Sequence, residues 1–145
     1  MYKIQKYKIM LVKDSSFAVS EKHIKLPIDA VEIIKNYLQG SDREHCIVLM
    51  LNTQNVIIGI NTISMGSVSA SIVHPREVFK PAILANATGI ILAHNHPSGN
   101  CSPSQEDILL TRRIKEAGDM LGIQLLDHII VTEDGNHCSI INSLD

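Results

Sequence analysis

The sequence predicts an α/β sandwich around a central sheet of mixed strand direction, and three observations carry that reading. Nearly continuous apolar runs of strand length recur along the chain ("HCIVLMLN", "GIILAHNH", "IQLLDHIIVT"), the pattern of strands buried on both faces. Longer segments with helical spacing of apolar residues separate them, so helices and strands interleave. The 145 residues, 45% hydrophobic and 19% charged, suffice for one domain, 1–145, with a substantial core. Only 3% are aromatic and none is Trp, so that core is built from Ile, Leu, Val and Ala.

The elements follow in order. Residues 2–12 alternate loosely through Tyr2, Ile4, Ile9 and Leu11 and are expected as an edge strand able to pair within or between chains. In "KLPIDAVEIIKNYLQG", Pro27 suits a first helical turn. Ile33, Ile34, Tyr37 and Leu38 gather on one side, and Gly40 suits the position after the helix. A strand over 45–52, the turn "TQN" and a strand over 56–64 come next; Gly66 breaks the pattern before "SASIV". "HPREVFKPAILANAT" reads as helical, opened by Pro75 and kinked or restarted at Pro81. After the strand 89–96, Ser102 is expected to cap a helix with Pro103 in its first position and Gln105 completing a capping box. A strand over 123–132, the tight turn "EDGN" and a short strand around "HCSII" close the chain. The order of the strands in the sheet is not legible at this level.

Net charge is −2 with no dense Lys/Arg run, which argues against direct duplex binding. The three cysteines, Cys46, Cys101 and Cys138, form no C-x-x-C pair, so neither a disulfide framework nor a cysteine-rich zinc knuckle is expected. There is no apolar run of membrane-spanning length, and the first residues have no apolar core of a secretion signal. A soluble, cytoplasmic protein is the expectation.

Chemistry concentrates in "AHNHPSGNCSPSQED", residues 93–107. Alternation along a strand sends His94 and His96 to one face, at a strand end, where α/β proteins place their sites. The stripe Leu110, Ile114, Ala117 and Leu121 continues at helical spacing from Asp107 and turns that carboxylate toward the same sheet. A buried carboxylate needs a partner, and two imidazoles with a cation supply one. Two nitrogens and one oxygen are the three protein ligands of a catalytic zinc site, whose fourth position is left for water. A glutamate nearby, Glu44 or Glu77, can carry a proton, and Ser104 can donate to an oxyanion. Each residue alone has a plainer reading: a lone H-x-H is weak, Ser104 can be a simple first-turn residue, and Asp107 or Glu77 can simply favour a helix dipole. The joint spacing H-x-H-x(7)-S-x-x-D tips the balance to a site. The letters "HNH" do not supply a nuclease motif, and the H-x-E and P-C-x-x-C of a zinc deaminase are absent.

That spacing resembles the JAMM (MPN+) metalloprotease motif. The surrounding text, "DREHCIVLMLNTQNVIIG", "SASIVHPREVFKPAILANATGIILAHNHPSGN" and "TRRIKEAGDMLGIQLLDHIIV", is similar to the RadC-like branch of that superfamily over about 42–131. The resemblance implies a JAB/MPN fold, a cytidine-deaminase-like three-layer α/β/α sandwich, holding one zinc per chain. It implies His94, His96 and Asp107 as ligands, Ser104 as oxyanion donor and, by position at the start of a strand, Glu44 as the acid–base residue. Residues 42–131 form the family-like core, with 1–41 as an N-terminal strand and helix. The loop Asn100-Cys101-Ser102 departs from the Asp-x-Thr-like stretch of many RadC-like chains. Residues 1–41 show no helix-hairpin-helix pattern, so the likeness is to a short form.

His74, His128 and Ser64 are weaker candidates for lining a cleft, against capping, core or turn roles. Cys101 is expected as a bystander thiol, and Arg112 and Arg113 as a solvated helix face. The leading expectation is a zinc-dependent hydrolase of peptide or isopeptide bonds acting on a protein or peptide substrate. The rival is a non-catalytic binding module, associated with DNA repair or a mobile element, in which zinc only holds the fold. A third keeps the zinc chemistry and applies it to a nucleobase amine.

Overall fold

The computed structural model describes residues 1–66 and 72–144. A 3-10 turn, Pro27–Ala30, opens directly into α1, Val31–Leu38, and β1, His45–Leu51, and β2, Ile57–Met65, form an antiparallel hairpin. Then come α2, Pro75–Leu84; β3, Gly89–His96; α3, Gln105–Leu121; β4, Gln124–Thr132; and β5, His137–Ser139. The sheet order is β2-β1-β3-β4-β5. Among the described strands only β3 and β4 pair in parallel, which is why a full helix, α3, connects them, while tight turns join β1 to β2 and β4 to β5; β3 returns beside β1 by way of α2. Asn55 and Gly135 take positive φ in the two hairpin turns.

The period of two sorts the core into two layers. Cys46, Val48, Met50, Ile90 and Leu92 face α2 and α3. Ile47, Leu49, Leu51, Ile91, Ala93, Ile129 and Val131 face the other way and cover Ile34 and Leu38 of α1. The result is the expected three-layer α/β/α arrangement on a mixed, open sheet. α3 lies close because residue 118 is Gly: a Cβ there would sit 3.2 Å from the Phe79 ring and closer still to the Ile123 carbonyl.

Several local expectations are corrected. Residues 1–19 form no strand; Tyr2, Ile4, Tyr7 and Ile9 are all exposed, so no face exists for alternation to bury. The first pairing occurs where His23 bridges Val56. Helix α2 runs without interruption through Pro81. The cap of α3 is Ser104 rather than Ser102, with Asp107 and not Gln105 completing the capping box. Leu121, placed on the inward stripe, is half exposed, and Gly118 takes the buried position instead. Within "SASIV", residues 69–71 lie outside the described residues.

Candidate metal centre

His94 and His96 stand on the same face at the end of β3, and α3 begins opposite them. Ser104 Oγ accepts from Asp107 N at 3.1 Å, and Asp107 Oδ2 accepts from Ser104 N at 2.9 Å. This reciprocal cap fixes the carboxylate at the first turn, pointing inward. Its two oxygens each meet one imidazole: Oδ1 lies 3.2 Å from His94 Nε2, and Oδ2 lies 3.2 Å from His96 Nε2. The two ring nitrogens are themselves 3.0 Å apart.

Three donor atoms from two elements thus converge, and these residues could hold a metal ion. A tetrahedral ion with bonds of about 2.0–2.1 Å sets its ligand atoms about 3.3 Å apart, close to these separations. The donor set of two imidazole nitrogens and a carboxylate oxygen suits zinc. The residues present therefore fit the group.

Electrostatics agree with the geometry. Burial alone would raise the Asp107 carboxyl, but the imidazoles of His94 and His96 against its two oxygens outweigh it and hold the group well below the usual carboxylate range. The same carboxylate raises His96 against the opposing effect of burial, helped by the Asn100 carbonyl and by the charges of Asp107 and Glu44.

The surroundings explain how each group is aimed. Cys46 pairs with His94 across β1 and β3, so Glu44, two residues earlier and just before β1, lies toward the His96 end, where its charge acts on His96. Asn95 faces away from the two histidines. Its Oδ1 accepts from His45 N at 2.7 Å, and its Nδ2 donates to the Arg43 carbonyl at 3.0 Å, gripping the backbone on either side of Glu44. His94 Nδ1 meets His128 Nε2 at 2.7 Å, and His128 Nδ1 meets Thr111 Oγ1 at 2.7 Å. Burial holds His128 well below the ordinary histidine pKa, so it is neutral. His96 Nδ1 lies 2.8 Å from the Asn100 carbonyl in the loop before α3.

The remaining candidates fall in different places. His128 is fully buried behind His94 and lines no cleft. Ser64 pairs with Cys46, in the same cross-sheet row as His94. His74 caps α2, its Nδ1 accepting from Arg76 N at 3.2 Å. Glu77 sits in the first turn of α2 and pairs with Lys80 at 3.1 Å. Arg112 and Arg113 are exposed, as expected of a solvated helix face.

Cys101 is not a free thiol. It is bonded to Cys138 of β5, with Cα atoms 5.7 Å apart, well inside disulfide range. The partner arrives from 37 residues away, so no local spacing announces the pair. Cys46 remains a free, buried thiol. Beside His96, a groove of about 480 Å³ opens between Glu32 and Lys35 of α1 and Thr132 at the end of β4.

Asn95 and Thr111 were missed by sequence reasoning. The parity of β3 and the helical spacing of Thr111 from Asp107 were the available signals. Among the described residues, no helix is long and apolar enough to cross a membrane.

Comparison with known proteins identifies the family. Residues 24–144 match the RadC-like JAB domain. The chain is 52% identical over 110 residues to a UPF0758 protein of Rubrobacter xylanophilus, covering 76% of this chain and 48% of that one. It is 47% identical over 126 residues to a UPF0758 protein of Moorella thermoacetica, covering 87% and 55%. The chain thus spans about half the length of the curated relatives it matches. With the match extending over most of its length, and with the His-His-Asp cluster at the end of β3, the chain belongs to the RadC-like JAB domain family.

Proposed function

We propose that this chain is a zinc-dependent hydrolase of peptide or isopeptide bonds. The observation that carries the reading is the convergence of His94 Nε2, His96 Nε2 and the Asp107 carboxylate, with Glu44 just before the neighbouring strand β1 at the same end of the sheet. Zinc in such a donor set supplies Lewis acidity and makes water a competent nucleophile near neutral pH. The Glu44 carboxylate takes the proton of the attacking water and returns it to the leaving amine nitrogen. Ser104 Oγ accepts at the helix cap through a lone pair, and its own proton is then available to the carbonyl oxygen as negative charge develops there.

The test is a cleavage profile on a peptide library joined to metal analysis. Wild type is expected to carry one zinc per chain and to cleave, and Glu44→Gln to keep the zinc and lose turnover. A protein with no metal above background sinks the reading. One zinc with no cleavage, together with a salt-sensitive shift of duplex or branched DNA, favours a binding module in which the metal is structural. Release of ammonia from a nucleoside would instead redirect the chemistry to nucleobases.

A further inference from the structure

Behind the cluster runs a hydrogen-bonded chain whose direction the chemistry of its groups determines. Thr111 Oγ1 lies 2.6 Å from the backbone carbonyl of Asp107, which can only accept, so the hydroxyl donates there. With its single proton committed, Thr111 Oγ1 accepts at its other contact, and His128 Nδ1 must be the donor. The ring of His128 is fully buried and its two nitrogens meet only Thr111 and His94, with no carboxylate to hold a second proton, so Nε2 is bare and accepts from His94 Nδ1–H. That leaves His94 Nε2 as the atom directed at Asp107 Oδ1 and His96 Nε2. The chain begins on the backbone of one candidate ligand and ends on the ring of another. Every link is buried, and among the described residues no buried side-chain nitrogen or oxygen lacks a partner.

We infer that Thr111 and His128 are positioning residues: they tie α3 to β3 and fix the tautomer of His94, so that its Nε2 lone pair faces the metal position. The inference rests on the metal reading above. His128 is held as the Nδ1–H form, the minor tautomer of a free imidazole, by an acceptor on a neighbouring element. His94 is thereby oriented by side chains from β4 and α3 rather than by its own strand. An outer partner of this kind fixes ring orientation and makes the ligand a better donor.

Nitrogen-15 spectroscopy of the histidine rings in metal-free protein is the direct test, with His128 expected as neutral Nδ1–H and His94 carrying a proton on Nδ1. Thr111→Val keeps the shape and removes the hydroxyl. It is expected to weaken Zn²⁺ affinity about 10–100-fold and to change the visible absorption of the Co²⁺-substituted protein. Thr111→Ser should restore both, which a purely packing role for the threonine methyl would not allow. His128→Phe is expected to act in the same direction as Thr111→Val, whose near-isosteric change keeps the test valid if the larger replacement fails to fold. His128 found as Nε2–H, or Thr111→Val with wild-type Zn²⁺ affinity and Co²⁺ spectrum, overturns the inference. Normal Zn²⁺ uptake by wild type alongside an unaffected Thr111→Val removes the relay alone, whereas wild type that takes up no Zn²⁺ removes the metal reading itself.

Discussion

The two histidines at the end of β3 are two residues apart and share a face, yet they are held by different kinds of structure. His94 is fully buried, and its outer nitrogen rests on side chains from β4 and α3. His96 stands at the rim with 13% of its side chain exposed, and its outer nitrogen rests on a backbone carbonyl of the loop that Cys101 fastens to β5. One is positioned by packed regular structure, the other by a loop and a covalent tie. The difference teaches that a single strand end can offer a rigid ligand and an adjustable one. The adjustable one borders the groove that opens between α1 and the end of β4.

Removing each ligand should expose this asymmetry most strongly. His94→Ala is expected to reduce bound zinc to background and to destabilise the protein as well, because His128 Nε2 is left buried without a partner, at a cost of about 1–3 kcal/mol. His96→Ala should also lose zinc but leave stability nearly unchanged. Metal analysis with denaturant unfolding checks both, and equal stability losses would break the comparison.

Opening the disulfide comes next. Cys138→Ser releases a cross-link spanning 37 residues and is expected to lower stability by about 2–4 kcal/mol in denaturant titrations. The tautomers of His94 and His128 should be unaffected, while the His96 ring signals broaden or move. Asn95→Ala should cost somewhat less, about 1–3 kcal/mol, because it strands the His45 N–H. It should leave zinc content intact, since Asn95 faces the other layer, while turnover falls as the segment carrying Glu44 loosens.

The smallest effect is in pH. The Asp107 carboxylate raises the His96 imidazole, so in the metal-free protein this pairing stabilises the fold fully below the ordinary histidine pKa of about 6.5. The contribution is lost as pH rises through the raised value. Metal-free protein should therefore melt slightly higher at about pH 6 than at about pH 8, and His96→Ala should flatten that dependence. Zinc uptake runs the other way, because the ion needs the nitrogen bare.

The sequence carried the α/β pattern, the inward turn of Asp107 and the common face of His94 and His96, because periods of two and 3.6 are local and survive without tertiary context. The cap was misplaced by two residues because Ser102 and Ser104 both satisfy local capping preference. What decides for Ser104 is the exchange of hydrogen bonds with Asp107, a fact of the folded turn. The Cys101–Cys138 pair and the grip of Asn95 on residues 43 and 45 join positions 37 and about 50 apart, and depend on which strands become neighbours. Residues 2–12 failed for the complementary reason: alternation is necessary for a half-buried strand, but a covering layer must also exist, and here Tyr2 through Ile9 meet none. Glu44 and Glu77 were not separable by local reading; the start of β1, antiparallel to β3, brings the first toward the His96 end, and Lys80 engages the second.

The alternation His94-Asn95-His96 has one more consequence. Within three residues, the strand sends two imidazoles to the α3 side and an amide to the opposite side, where it grips the segment bearing Glu44. Substitutions in β3 can be absorbed by repacking one layer, but adding or deleting a single residue before His94 would exchange the two faces at once. The strand can drift in spelling but not in frame.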